Sequence, residues 1–228
     1  FSGSELTGCN LSGAKLKDAV LENVNLTEAK LDNVFVEGAS FTNAKMNGSD
    51  VPVSNTEQSG RHAESIDSHA LWIETQGRRG TPANLEETDL RGLDLSSLNL
   101  SGISLKGVNL SGVSLVGAQL SLADLSGADL SGADLTKSDL RGANLTGANM
   151  MYAKLIAATL SPIKIKSKKG EATERQMAAN LTECDLRFAD LTQAEFSGAN
   201  LAKADLRSAT RKRTNFIGAV LDGALVTN

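Results

Sequence analysis

From Leu85 to Leu160 a large apolar residue stands at every fifth position without a gap, fifteen leucines and Met150. That period excludes both regular secondary structures. Five residues advance an α-helix by about 500°, which would place successive leucines about 140° apart around its axis. In a continuous strand an odd period sends alternate leucines to opposite faces. The chain must therefore turn once per unit. A short extended piece that points the leucine and the residue two before it inward, followed by a turn, meets both limits. Ala118, Ala123, Ala128, Ala133, Ala143 and Ala148 hold that second inward position, and Ser-Gly, Arg-Gly and Thr-Gly pairs stand where the turn belongs. Four turns close a square of about twenty residues, and stacked squares pair backbone with backbone about 4.8 Å apart.

The residue between the two inward positions gives an independent check on that coil. At intervals of twenty, Asp89 is followed by Asn109, Asp129 and Asn149, Asp94 by Ser114, Asp134 and Lys154, and Gln119 by Asp139 and Thr159. No aspartate of this tract lies over another, as repulsion between like charges in adjacent strands demands. The same phase runs through Leu6, Leu11, Leu16, Leu21, Leu26, Leu31, Val36, Phe41, Met46 and Val51. It returns from Leu181 to Val226, with Phe196 and Phe216 as bulky variants and one failure at Arg211. Hydrophobic residues make up 40% of the 228 but aromatics only 4%, so leucine and alanine fill the interior that aromatic rings fill elsewhere.

The tract ADLSGADLSGADLTKSDLRGANLTGANM, Ala123 to Met150, resembles the pentapeptide-repeat family, and most of the chain follows its motif. The resemblance implies an all-β fold, a right-handed quadrilateral β-helix. Residues 1–51 then form a short repeat tract, 52–82 a linker with a capping helix, and 83–228 the main solenoid with a loop insertion at 161–180; the rival arrangement is a single continuous helix with 52–82 looped out. The helix is read over 63–76, from Ile66, Ala70 and Ile73 at spacings of four and three before Gly77 and Gly80. It resembles the plug that precedes many bacterial tracts of this kind, seating Trp72 over Leu85.

Function in a solenoid lies where the repeat breaks or its outer face is unusual. Met151, Tyr152 and Ile156 are apolar where the repeat presents Ser, Gly or Thr, and Ile163 and Ile165 are expected to fold back over them. The insertion carries Lys164, Lys166, Lys168, Lys169 and Arg175 against Glu171 and Glu174, a local charge of +3. Met151, Tyr152, Ile156 and the four lysines are the candidate partner-binding set. Arg211 cannot stack among inward leucines unpaired, so its wall is expected to bulge outward. The large inward residues at Leu93, Leu98, Ile103, Val108 and Val113 reshape one coil, without a functional account.

These features favour a protein-binding scaffold over an enzyme, because no nucleophile, base and oxyanion constellation assembles. The glycines recur at the turn position and form no phosphate-cradling motif, so no cofactor is expected. His62 and His69 lack a cysteine nearby to complete a zinc set and read as structural. A net charge of −4 argues against direct nucleic-acid binding, and no apolar stretch is long enough for a membrane span. Cys9 and Cys184 fall at inward positions, so free thiols and a reducing, cytoplasmic compartment are expected. The first residue is Phe1, not Met, which leaves room for a targeting segment upstream. Open coils at Leu6 and Val226 would expose unpaired backbone, an invitation to self-association. The family resemblance adds one alternative, a DNA-mimicking modulator or protector of a type II topoisomerase (DNA gyrase).

Overall fold

The computed structural model describes residues 2–16, 19–31, 34, 45, 56–166 and 172–227, of which 56–61, 166 and 172–174 are described by their backbone alone. Val36, Phe41, Met46 and Val51 of the first repeat tract lie outside the described residues. Contacts divide the chain into two compact units, one of Phe1–Ala63 with Arg91–Leu93, the other of Glu64–Leu90 with Asp94–Asn228.

In the first unit, parallel bridges join Glu5 to Asn25, Asn10 to Lys30 and Asn25 to Lys45, each twenty residues on. Leu16, Leu21, Val24, Leu26, Ala29, Leu31 and Val34 form its buried core. The spacing of five brings these side chains to one interior, as the bridges require.

The second unit is a β-helix of four walls. Parallel bridges link Asn84, Ser104, Asp124, Asn144, Asn180, Asn200 and Val220 up the first wall, and Asp89, Asn109, Asp129, Asn149, Asp185, Asp205 and Leu225 up the second. The third runs from Asp94 to Thr210 and the fourth from Asn99 to Asn215. The vertical pairs expected from the sequence, Asp129 over Asn109 and Lys154 over Asp134 among them, are all present. Each coil gives its neighbour backbone hydrogen bonds, for example Leu130 N–H to the Asn149 carbonyl at 2.7 Å and Asn149 N–H to the Ala128 carbonyl at 2.9 Å. The leucine columns and the alanines two residues before them are buried throughout the central coils. The polar residue between them secures the turn, since Asp124, Asp129 and Asp134 each accept the backbone N–H two residues on at 3.0 Å and so pin the corner.

Three small polar groups at inward positions donate to backbone carbonyls. Thr88 donates its hydroxyl to the Leu85 carbonyl, Thr214 to Leu191, and the Cys184 thiol to Leu145, each at 2.7 Å. Burial pushes the Cys184 thiol up to about 12. Both cysteines are free, as the inward positions imply. Ser138 is buried in an alanine column with its hydroxyl unpaired.

Helix α1, Thr56–Glu74, is longer than the sequence suggests and starts seven residues earlier. Its turn at Gln76 and Gly77 has left-handed φ values of 53° and 83°, and the Gly77 N–H closes on the Trp72 carbonyl at 2.8 Å. The chain then doubles back so that Thr81 N–H reaches Ser68 Oγ at 3.0 Å. His69, fully buried, joins the helix to the first coil: its Nδ1 accepts the Ala83 N–H at 3.2 Å and its Nε2 lies 3.1 Å from the Ser101 carbonyl. Trp72 stacks on the His69 ring at 5.9 Å between centroids, which places the helix's ring pair beside this junction.

Two expectations are corrected. The insertion is not a bare loop but an antiparallel hairpin, β1 (Ile163–Lys166) and β2 (Ala172–Met177), with Ile163 opposite Met177 and Lys164 opposite Gln176. Asn144 pairs with Asn180, thirty-six residues on, so a sixteen-residue excursion leaves the rod at one corner and the register resumes intact. The wall at Arg211 does not bulge. Asp190 still pairs with Thr210, and Thr210 N–H bonds Ala189 at 2.9 Å. Arg211 itself is half-buried.

Candidate interaction edge

The corners of the coil set what each outward side chain can meet. Residues 131–132, 151–152, 187–188 and 207–208 form the second corner, between the second and third walls. Residues 121–122, 141–142 and 197–198 form the fourth, diagonally across. Corner backbones take a left-handed turn, which glycine adopts without cost and which a bulky side chain resists by roughly 1–2 kcal/mol. Gly112, Gly127, Gly132 and Gly147 follow this rule. Tyr152 (φ 59°) and Phe188 (φ 60°) break it with the largest side chains found at any described corner.

Neither ring is buried. Tyr152 is 58% and Phe188 47% exposed, and the two stack one coil apart with centroids at 5.0 Å and planes 11° from parallel. The Tyr152 N–H bonds the Arg187 carbonyl at 3.1 Å, so the backbone ladder holds the rings in register. Arg187 completes the edge. Its Nε donates to Asp185 at 2.8 Å, and its Nη2 lies 3.3 Å from the Met151 sulfur. The same Nε stands 3.7 Å from Asp205, which lies directly over Asp185. Two stacked carboxylates, absent from the central tract, are tolerated here because guanidinium groups bracket them. The Arg187 hydrogen bond lowers the Asp185 pKa against the opposing effect of burial, and Arg207 does the same for Asp205.

The structure brings together Met151 and Tyr152 of the residues singled out in the sequence. Ile156 is half-buried at the next corner, in the column of Val116 and Thr136. Lys164 is exposed on β1, and Lys166 lies on the same strand. Lys168 and Lys169 lie outside the described residues. Among the described residues the hairpin does not cover Tyr152, which is 58% exposed. Ile163 packs at the fourth corner, where a side chain on Gly142 would meet Ile163 Cγ2 at 2.7 Å and Leu122 Cδ2 at 2.8 Å. Pro162 lies over Gly198 in the same way, at 3.0 Å. The expected fold-back of Ile163 over the Met151 patch is thus replaced by packing over Leu122, because the excursion departs from the corner diagonal to Tyr152.

A family model described as pentapeptide repeats matches eight copies, over residues 1–23, 19–51, 83–107, 103–142, 123–161 and 178–210. The chain belongs to the pentapeptide-repeat family. Among solved pentapeptide-repeat proteins it is similar to HetL of the cyanobacterium Nostoc sp. strain PCC 7120, a protein involved in heterocyst differentiation regulation. That match has 27% identity and a TM-score of 0.50, covering 99% of this chain and 84% of HetL. Rfr23 of the cyanobacterium Cyanothece 51142 matches at 19% identity and a TM-score of 0.28, over 97% of this chain and 90% of Rfr23. A trypsin-treated variant of QnrB1, a plasmid-mediated fluoroquinolone resistance protein, matches at 16% identity and a TM-score of 0.32, over 97% of this chain and 88% of QnrB1. No curated protein sequence matches the chain. The family match and the similarity to HetL imply a right-handed β-helix, in keeping with the four-walled ladder. No helix among the described residues is long and apolar enough to cross a membrane.

Sequence reading missed Phe188 and Arg187. Both occupy turn positions of a pentapeptide repeat, and an aromatic residue at such a position is the signal that finds Tyr152. The thirty-six residues between the two rings hide their alignment, because the column interval elsewhere is twenty.

Proposed function

We propose that this pentapeptide-repeat protein is a non-enzymatic binding scaffold whose contact edge is the second corner, with Met151, Tyr152, Arg187 and Phe188 at its centre. The observation that carries this reading is the stacked Tyr152–Phe188 pair, held in left-handed turns and left in solvent. Rings in that position gain little from burial and cost backbone strain, a combination that marks functional positions. Exposed aromatic side chains with an adjacent arginine make strong anchors in protein interfaces. The partner is a protein with an apolar recess that takes the two projecting rings. The similarity to HetL supports a regulatory setting for such binding.

In this reading 1–51 and 83–228 are two repeat tracts, each presenting its own outer faces, and 52–82 carries the helix. The hairpin at the opposite corner supplies a separate basic surface through Lys164 and its neighbours. The DNA-mimicking alternative is disfavoured by the pairing of carboxylates with cations, Asp139 with Arg141 and Asp134 with Lys154 among them.

A photo-reactive benzoylphenylalanine placed at Tyr152, in lysate of the producing cell, tests the edge. One cross-linked protein product is expected from position 152, none from the same group at Lys203 on another corner, and at least a tenfold loss when Phe188→Ser is added. Equal products from both corners, or a product indifferent to Phe188→Ser, would reject the edge.

A further inference from the structure

We infer that His69 is a proton-operated latch that holds helix α1 to the first coil of the solenoid and lets it go in acid. Two backbone groups read the two ring nitrogens. Ala83 presents an N–H to Nδ1, so Nδ1 must carry a lone pair, and the Ser101 carbonyl faces Nε2, which must carry the proton. Only the neutral ring in that one tautomer satisfies both. A second proton on Nδ1 would meet the Ala83 N–H donor to donor, inside a site from which water is excluded.

The latch joins three pieces of chain. His69 and Trp72 lie on one face of the helix, Ala83 belongs to the segment that doubles back from it, and Ser101 lies on the fourth corner of the first coil. Other helix-side ties are neutral and indifferent to pH in this range: Ser68 Oγ to Thr81 Oγ1 and N–H, both at 3.0 Å. Among the described side chains of the second unit, the charged groups on the packed elements are Glu64, Asp67 and Glu74 on α1, Arg78 and Arg79 after it, and Glu86, Glu87, Asp89 and Asp94 in the first coil; all but the half-buried Asp89 are exposed. The influences on the His69 ring are burial, which lowers its pKa, and the Ser101 carbonyl, which raises it less, with no charged side chain among them. His62, two turns earlier on α1, is the other histidine of the chain.

The sign follows from linkage. The docked ring has a pKa below the value of 6.5 for a free imidazole, so the undocked helix binds the proton more tightly. Docking is at full strength above pH 6.5. It weakens about tenfold in its equilibrium constant for each unit of pH below that, until the docked ring itself takes up the proton. Ordinary carboxylates titrate about two units lower, so the window is the imidazole's own.

Trp72 is the only tryptophan and stacks on His69, which makes it the reporter. In the full chain, its emission is expected to shift as pH falls from about 7.5 to about 5, with a one-proton slope, while far-UV circular dichroism of the rod holds. His69→Gln, which keeps a side-chain N–H for Ser101 but cannot titrate, is expected to show no shift, although His62 remains. Hydrogen exchange of the Ala83 amide and of residues 64–74 decides the matter without a variant. Corrected for intrinsic rates, wild-type protection should fall at least tenfold between about pH 7 and pH 5. Protection unchanged over that range, or an equal transition in His69→Gln, would overturn the latch.

Discussion

Gly80→Ala is expected to detach α1 from the first coil altogether. The glycine has a φ of +75°, and a methyl group there would sit 2.1 Å from the Ser68 carbonyl oxygen and 2.8 Å from the Trp72 nitrogen. Both obstacles are backbone atoms of the helix, so no side-chain rotation relieves them and the helix must move. Movement breaks the Ser68–Thr81 pair and both His69 contacts, which together with the left-handed backbone amounts to roughly 4 kcal/mol or more. Gly77→Ala makes the matched control. Its methyl would meet only the Trp72 ring, 3.3 Å away, and a ring edge can shift, so a loss of about 1–2 kcal/mol from backbone strain is expected. Trp72 fluorescence and hydrogen exchange over residues 64–74 read both variants. A helix still protected in Gly80→Ala would mean that the doubled-back segment is not seated as described.

The second large effect belongs to the leucine column. Leu135 is fully buried with Leu115 and Leu155 in the coils on either side, and the backbone bonds of those coils fix the spacing around it. Walls held by a hydrogen-bond ladder cannot close over a missing side chain, so Leu135→Ala leaves its cavity open and costs about 3–5 kcal/mol. Leu221, 39% exposed in the last coil, has no such enclosure, and Leu221→Ala should cost less than about 1 kcal/mol. Urea unfolding separates the two. Similar midpoints would show that the inner column is looser than the ladder implies. Because neighbouring coils carry the stability of a solenoid, the Leu135→Ala transition should also broaden, as the rod parts at its weakened coil.

How far the fold could be read in the sequence depended on repetition. The column of leucines and its companion alanines are a covalent record of the coil, and the Asp–Asn alternation at intervals of twenty records the stacking. Where repetition stops, physical chemistry left weaker traces. The first turns of α1, Thr56 to His62, carry no apolar periodicity, so only the half that packs through Ile66 and His69 announced itself. The hairpin strands are too short and too charged to stand out from a loop. Arg211 looked incompatible with an inward position, yet the wall that leads into it keeps its ladder through Thr210. Tyr152 was legible as an apolar intruder at a turn, but its partner Phe188 was not, since the excursion between them changes the interval.

That register across the excursion is what places both rings on one edge, and it can be tested by a disulfide. In adjacent coils about 4.8 Å apart, Tyr152→Cys and Phe188→Cys fall within the roughly 4.4–6.8 Å that a disulfide spans between Cα atoms. Mild oxidation of the double variant should give a 152–188 bridge in nearly every molecule, identified by mass spectrometry of the linked peptides. Tyr152→Cys paired with Gln193→Cys, one wall away, should stay reduced. Failure of the first pair to close, or equal bridging by the second, would contradict the alignment of Tyr152 over Phe188 and the interaction edge built on it.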